Sequence, residues 1–258
     1  MTAKLIPHIE IENASIIVVD NGSTDNSVNL LKKITNIELI CSEKNLGFSA
    51  GNNIGIKHAL EKGYEYIWLL NNDAIPDRNC LKELIITDQH EKDHCLVGSV
   101  IKNLDRSLQC FGGGYFNFWT GNSVHCTTLN PTKDLDYLCG ASILIHSSLF
   151  IKYGLLDERF FLYWEDVEFC QRLKNAGIKF IVSKESNVIH NMGYSTNQHS
   201  ILKTYYFNVS SIMFARITKR WCFVIYGIIL RLLKAVFTLK LSKTKAIFKA
   251  VISTGIIK

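Results

Sequence analysis

Three short apolar runs, each ending abruptly in a polar turn, constrain this chain more than any other feature. SIIVV (15–19) runs into DNGSTD (20–25), IELIC (37–41) is followed by EKNLGFSAGNN (43–53), and YIWLL (66–70) runs into NNDAIPD (71–77). Between them lie stretches with helical spacing, marked by Val28, Leu31 and Ile34, by Ile54, Ala59 and Leu60, and then by Leu81–Ile86. Strands without polar alternation are covered on both faces. Strand and helix in regular alternation predict an α/β domain with a mainly parallel sheet. In such sheets ligands bind beyond the carboxyl ends of the strands, where both DNGSTD and NND fall.

The second half is less regular. CLVGSVI (95–101) reads as a strand, FGGGYFNFWTGN (111–122) as a loop or short hairpin, and YLCGASILIHSSLF (137–150) contains a strand after Gly140. An acidic helix follows FFLYW, with Val167, Cys170 and Leu173 facing the core, Gly177 closing it, and KFIV as a further strand.

At 258 residues and 47% apolar content the chain can bury one sizeable core with a small extension. Its 3 prolines leave no long linker. The net charge of +6 is unevenly placed, because the 11 Lys and Arg residues after Glu185 meet no acidic residue. Residues 1–215 are therefore expected to form the main domain and 216–258 a basic helical extension. The uncharged run WCFVIYGIIL (221–230) is too short to span a bilayer, which takes about 20 residues. Basic residues interleaved with Trp221, Phe223, Leu232, Leu233, Val236, Phe237 and Leu241 suit a helix lying on an anionic membrane surface. A helix packed on the domain with solvated charges is the plainer alternative. Nucleic acid is not expected, since no stacking sheet or zinc-finger spacing accompanies the charge. The 8 cysteines form no CxxC pair and read as reduced thiols. The first residues show no signal-peptide pattern, which suggests a cytoplasmic protein, at the inner face of the membrane if the tail binds lipid.

Each candidate site residue has two readings. Asp73, with Asn72 beside it, is either a ligand for Mg2+ or Mn2+ shared with substrate phosphates, or part of a turn. Asp20 either accepts a hydrogen bond from a base or ribose or closes an Asx-turn with Gly22 or Ser23. Asn45, Gly47, Gly51 and Asn52 lie in a glycine-bearing loop ahead of a helix, whose exposed N–H groups are a candidate diphosphate cradle. Glu165 and Asp166 are either a desolvated acid pair supplying a general base or first-turn helix decoration. His190 is a candidate third metal ligand, a diphosphate contact, or a structural histidine. Together these residues suit a nucleotide-diphosphate sugar: a base pocket, a cation for the leaving group, and a separate carboxylate for the acceptor. A separate carboxylate for deprotonation implies direct, inverting displacement.

SIIVVDNGSTDNS (15–27), NLGFSAGNNIGIKHAL (45–60), YIWLLNNDAIPD (66–77) and the segment 140–190 resemble family 2 of the glycosyltransferases, in its rhamnosyltransferase-like branch. The similarity covers about residues 15–215. It implies a GT-A fold, with Asp20 reading a uracil or thymine base and Asp73 as the aspartate of a DxD-like motif. It also implies Asp166 as base beside Glu165, Trp164 flanking the sugar, and His190 near the diphosphate. The donor would be a dTDP- or UDP-sugar, such as rhamnose, and the acceptor a glycan or lipid-linked sugar of a bacterial surface polysaccharide. Family members begin with a further apolar strand, and LIPHI (5–9) resembles the end of the helix after it. Either the gene start is misplaced, or a homo-oligomer or a partner protein supplies the strand, or the chain is an inactive glycosyltransferase-like partner.

Overall fold

The computed structural model describes residues 14–117, 122–190, 200–219 and 221–255. The helix end read at 5–9 and the NMGYS segment after His190 lie outside them. The three apolar runs form β1 (Ile17–Asp20), β2 (Glu38–Cys41) and β3 (Tyr66–Leu70). Helices α1 (Ser27–Leu31) and α2 (Phe48–Glu61) separate them. Next come β4 (Ala74–Pro76), α3 (Cys80–Gln89), β5 (Leu96–Lys102), β6 (Leu108–Phe111) and the hairpin β7 (Gly113–Asn117) and β8 (Asn122–His125). The chain continues through β9 (Tyr137–Leu138), β10 (Ser142–His146), α4 (Ser147–Tyr153), α5 (Glu165–Asn175) and β11 (Phe180–His190). It closes with α6 (Ser200–Thr218), α7 (Trp221–Phe237) and α8 (Leu241–Ser253).

The α/β class, the flanking helices and the basic helical region agree with the sequence. Strand direction differs from the mainly parallel expectation. The central sheet has the order β3-β10-β5-β11-β4, with β6 also on β5. Only β5–β11 is parallel within it, because β10 inserts antiparallel between β3 and β5. A continuously apolar strand reports cover on both faces, which helices provide whichever way the strand runs. Among the described residues β1 and β2 form a separate parallel ribbon with no backbone pairing to β3. Helix α2 holds this ribbon through Gly55, where an added Cβ would stand 3.2 Å from Val19 Cγ2.

The core continues from the sheet into the C-terminal helices. Phe150, Phe160, Phe169 and Leu173 pack in one cluster with Ile212 and Phe214 of α6 and with Ile247 of α8. The boundary expected at 215/216 falls inside α6, one end of which is buried against the domain while its Tyr205 hydroxyl donates to Ser253 Oγ at 3.1 Å. The cysteines at 41, 80, 95, 110, 126, 139 and 170 are free thiols.

Candidate active site

Asp20, Asn72, Asp73, Glu165, Asp166 and His190 line one cleft of about 1270 Å3 at the ends of β1 and β3. Three distant stretches of chain meet there. Each is held by a local device.

The NND segment is a tight turn in which the Ala74 amide donates to the Asn71 carbonyl at 3.1 Å. The turn directs the chain into β4, whose Ala74 sits opposite His190 in the antiparallel β4–β11 pair. Asp73 Oδ1 therefore lies 3.1 Å from His190 Nε2. On the other side of the ring, Nδ1 lies 3.0 Å from Gln109 Oε1. The Gln109 amide nitrogen donates to Asn103 Oδ1 and to the His190 carbonyl, which fixes the amide orientation. Gln109 Oε1 must then accept, so Nδ1 carries a proton. Burial opposes charge on His190, but the hydrogen bond and charge of Asp73 outweigh it and raise its pKa. The imidazolium form donates at both nitrogens. With Nδ1–H held by Gln109, loss of the Nε2 proton leaves an oriented ligand nitrogen beside a carboxylate. One carboxylate and one imidazole suit Mn2+ better than Mg2+, with substrate oxygens completing the shell. Among the described residues no group of three metal-ligating side chains occurs.

The acid pair begins α5 after two residues in the left-handed region, Tyr163 at φ 69° and Trp164 at φ 73°. Such positive φ in two bulky aromatic residues is costly and clusters at functional sites. Here it turns Tyr163, Trp164 and Glu165 into the cleft. The Tyr163 hydroxyl, Trp164 Nε1 and Glu165 Oε2 are buried and have no hydrogen-bond partner. Unpaired buried polar atoms cost about 1–3 kcal/mol each, and all three belong to residues that line the cleft.

Asp166 is held differently. Its Oδ1 accepts from the Val167 amide at 2.8 Å and its Oδ2 from the Gly140 amide at 3.2 Å. Burial raises its pKa, and these two amides together with the more distant charge of His125 pull against that rise. Burial, and then the charge of Asp166, push Glu165 well above the carboxylate range. The two environments make Asp166 the readier of the pair to ionise. Glu168 belongs to the scaffold, since both its oxygens take the Arg172 guanidinium at 3.0 Å.

The glycine-bearing loop corrects one expectation. Its amides are not a free diphosphate cradle. Leu46 N–H donates to Asn21 Oδ1, Gly47 N–H to Asn45 Oδ1, and Phe48 N–H to the Phe161 carbonyl. Asn45 and Gly47 do not line the cleft, whereas Gly51 and Asn52 do. Gly47 has φ 89°, and an added Cβ would stand 2.6 Å from the Phe161 carbonyl oxygen. It therefore docks the loop on the segment leading to the acid pair. Asp20 is buried, and its Oδ2 accepts from the Ser23 amide at 3.0 Å, so the Asx-type turn is present.

Three residues were not singled out by sequence. Asn21 clasps the two loops, donating to the Gly47 carbonyl at 2.8 Å while accepting from Leu46. Gln109 orients His190. Lys203, from α6, brings a cation to the cleft beside Phe207. Asn21 had a visible signal as the polar residue after a strand end, whereas the other two are joined to the site only by the fold.

Residues 4–152 match the profile of the family described as "Glycosyl transferase family 2". The chain is 25% identical over 189 residues to the dTDP-rhamnosyl transferase RfbF of Shigella flexneri, covering 73% of this chain and 64% of that protein. It is 28% identical over 188 residues to the low-salt glycan biosynthesis hexosyltransferase Agl10 of Haloferax volcanii, covering 69% and 59%. The chain thus spans about three fifths of the length of these curated relatives. In fold it is similar to the mannosyltransferase PcManGT of Pyrobaculum calidifontis, solved with GDP-Man and Mn2+. The TM-score is 0.57 at 11% identity, over 100% of this chain and 71% of that one.

Proposed function

Because the chain belongs to glycosyl transferase family 2, we propose that it transfers a sugar with inversion from a dTDP- or UDP-sugar to a glycan or lipid-linked acceptor of a surface polysaccharide. Rhamnose is the proposed sugar, on the similarity to a dTDP-rhamnosyl transferase. The observation that carries the reading is the division of labour in one cleft: Asp73 with His190 in one place, the acid pair with its unpaired polar neighbours in another.

In this reading Asp20 keeps Oδ2 on the Ser23 amide and offers Oδ1 to the N3–H of uracil or thymine. Asp73 and His190 would hold a divalent cation, which supplies positive charge to the departing diphosphate. Lys203 adds a second positive group on the α6 side. The sugar hydroxyls meet the Tyr163 hydroxyl, Trp164 Nε1 and Glu165 Oε2. Asp166 takes the proton from the acceptor hydroxyl as that oxygen attacks the anomeric carbon. The anomeric C–O bond to the diphosphate breaks, and its electron pair leaves with the nucleotide. The Gly140 and Val167 amides fix the Asp166 carboxylate, so little reorganisation accompanies proton transfer.

The test is release of nucleoside diphosphate from a panel of dTDP- and UDP-sugars with Mn2+, with and without acceptor glycans. Acceptor-dependent release with inverted product configuration is expected. A purified, folded chain that binds none of these donors refutes the reading.

A further inference from the structure

We propose that α7 and the start of α8 form a docking face for an anionic phospholipid surface, a function separate from the transfer site. On α7 the side chains of Ile225, Ile229, Leu233, Val236 and Phe237 are exposed, by 52%, 48%, 48%, 54% and 83% of their surface. At 100° per residue these positions span about 120° of the helix circumference. No charge falls within that stripe. Its opposite side is already used: Ile228 and Ala235 are buried, and Arg231 turns inward, its Nε donating to Asn208 Oδ1 of α6 at 2.9 Å. The stripe therefore cannot turn to face the protein without removing packed residues from the core. The turn into α8 adds Leu239 and Leu241, exposed by 84% and 71%.

A contiguous apolar stripe of this size on a protein surface marks an interaction site. The charge around it identifies the partner. Lys234, Lys240, Lys243, Lys245 and Lys249 lie on or beside these elements, and no acidic residue follows Glu185. A face that self-associates as a dimer would bring these lysines against their copies without compensation. A phospholipid surface takes the apolar stripe into the headgroup and acyl boundary while lysines extend to its phosphates. Among the described residues no helix is long and apolar enough to cross a membrane, so the contact is with one leaflet.

The test uses the full chain and vesicles of phosphatidylcholine alone or mixed with phosphatidylglycerol, read by co-sedimentation. The chain is expected to sediment with the mixed vesicles, weakly with the neutral ones, and less as salt rises. Replacing Val236 and Phe237 together by Ser removes exposed side chains only, and is expected to weaken binding more than tenfold, since each buried side chain contributes about a factor of ten. Lys240→Gln and Lys245→Gln are each expected to cost about fivefold. Donor binding should be unchanged in all of them, so failure here leaves the transfer reading intact and the reverse holds equally. No sedimentation with mixed vesicles at low salt overturns the proposal. So does equal binding to both vesicle types that the variants leave unchanged. A concentration-dependent dimer abolished by the double Ser variant would assign the face to a second copy instead.

Discussion

Replacing Asp166 by Asn separates its chemical role from its structural one. In the parent, Oδ1 and Oδ2 each accept one backbone amide, from Val167 at 2.8 Å and Gly140 at 3.2 Å. An Asn side chain can keep only one of these bonds. The shorter bond to Val167 should win, leaving the amide NH2 group against the Gly140 N–H. One unsatisfied buried donor costs about 1–3 kcal/mol, so a stability loss of about 2 kcal/mol is expected. The chemical loss is larger. Removing a general base slows the reaction by about 10²–10⁴, or about 3–5 kcal/mol in the barrier. Donor affinity should change less than about threefold, because the proposed donor contacts are Asp20 and the Asp73 side of the cleft. The pH profile gives an independent check. Burial places the Asp166 pKa above that of a free aspartate. The parent kcat/KM should therefore rise with pH through a limb above that of a free aspartate, and the variant should lack that limb. Single-turnover transfer, donor titration and urea unfolding measure the three quantities. Transfer at the parent rate by a folded variant would refute the assignment. Loss of donor binding in parallel with the rate would refute the separation of roles.

Glu165→Gln should raise thermal stability while impairing transfer. A carboxyl group whose folded pKa lies above its unfolded value destabilises the fold as pH rises from the unfolded value through the folded one, because the unfolded chain ionises first. The stabilisation should be absent below the unfolded value and full above the folded one; a pH-independent difference in Tm would contradict this. Asp73→Asn should abolish the Mn2+ dependence of donor binding in calorimetry with and without EDTA. It should also lower the His190 pKa, because burial then loses the opposing hydrogen bond and charge of Asp73. An unchanged histidine titration by NMR would show that the two groups are not coupled. Asn21→Ala should cost about 1–3 kcal/mol, by leaving the Leu46 amide without its acceptor and the Gly47 carbonyl without its donor. Chemical unfolding reads that loss directly.

The placement of the site was legible because its carriers end apolar strands or begin an amphipathic helix. Asp20 and Asp73 follow runs that have to be covered on both faces, and Val167, Cys170 and Leu173 fix which side of α5 is inward. What was not legible depends on pairing across the chain. Strand direction escaped because two-sided cover does not encode it. The committed amides of Leu46, Gly47 and Phe48 resembled a free anion site until Asn21, Asn45 and Phe161 took them. Lys203 stands 13 residues beyond the end of β11, in a helix with little apolar asymmetry to orient it, and only the fold carries it to the cleft. The left-handed turn at Tyr163 and Trp164 is likewise invisible locally, since neither residue favours it and tertiary packing imposes it.

The ribbon of β1 and β2 has a mechanical consequence. Asp20 ends one of two strands that, among the described residues, share no backbone hydrogen bond with the sheet that Asp73 adjoins. Side-chain packing through α2 at Gly55 and the Tyr64–Ser15 hydrogen bond are among the contacts that bridge the ribbon to the rest of the domain, and neither is as stiff as a ladder of amides. A wall held this way should yield more readily than one built into the sheet, and in the proposed function that would let the cleft adjust its width to the nucleotide. Amide exchange at Ile17–Asp20 should then outpace that at Leu96–Lys102, and a bound nucleotide should slow it by bracing one wall against the other.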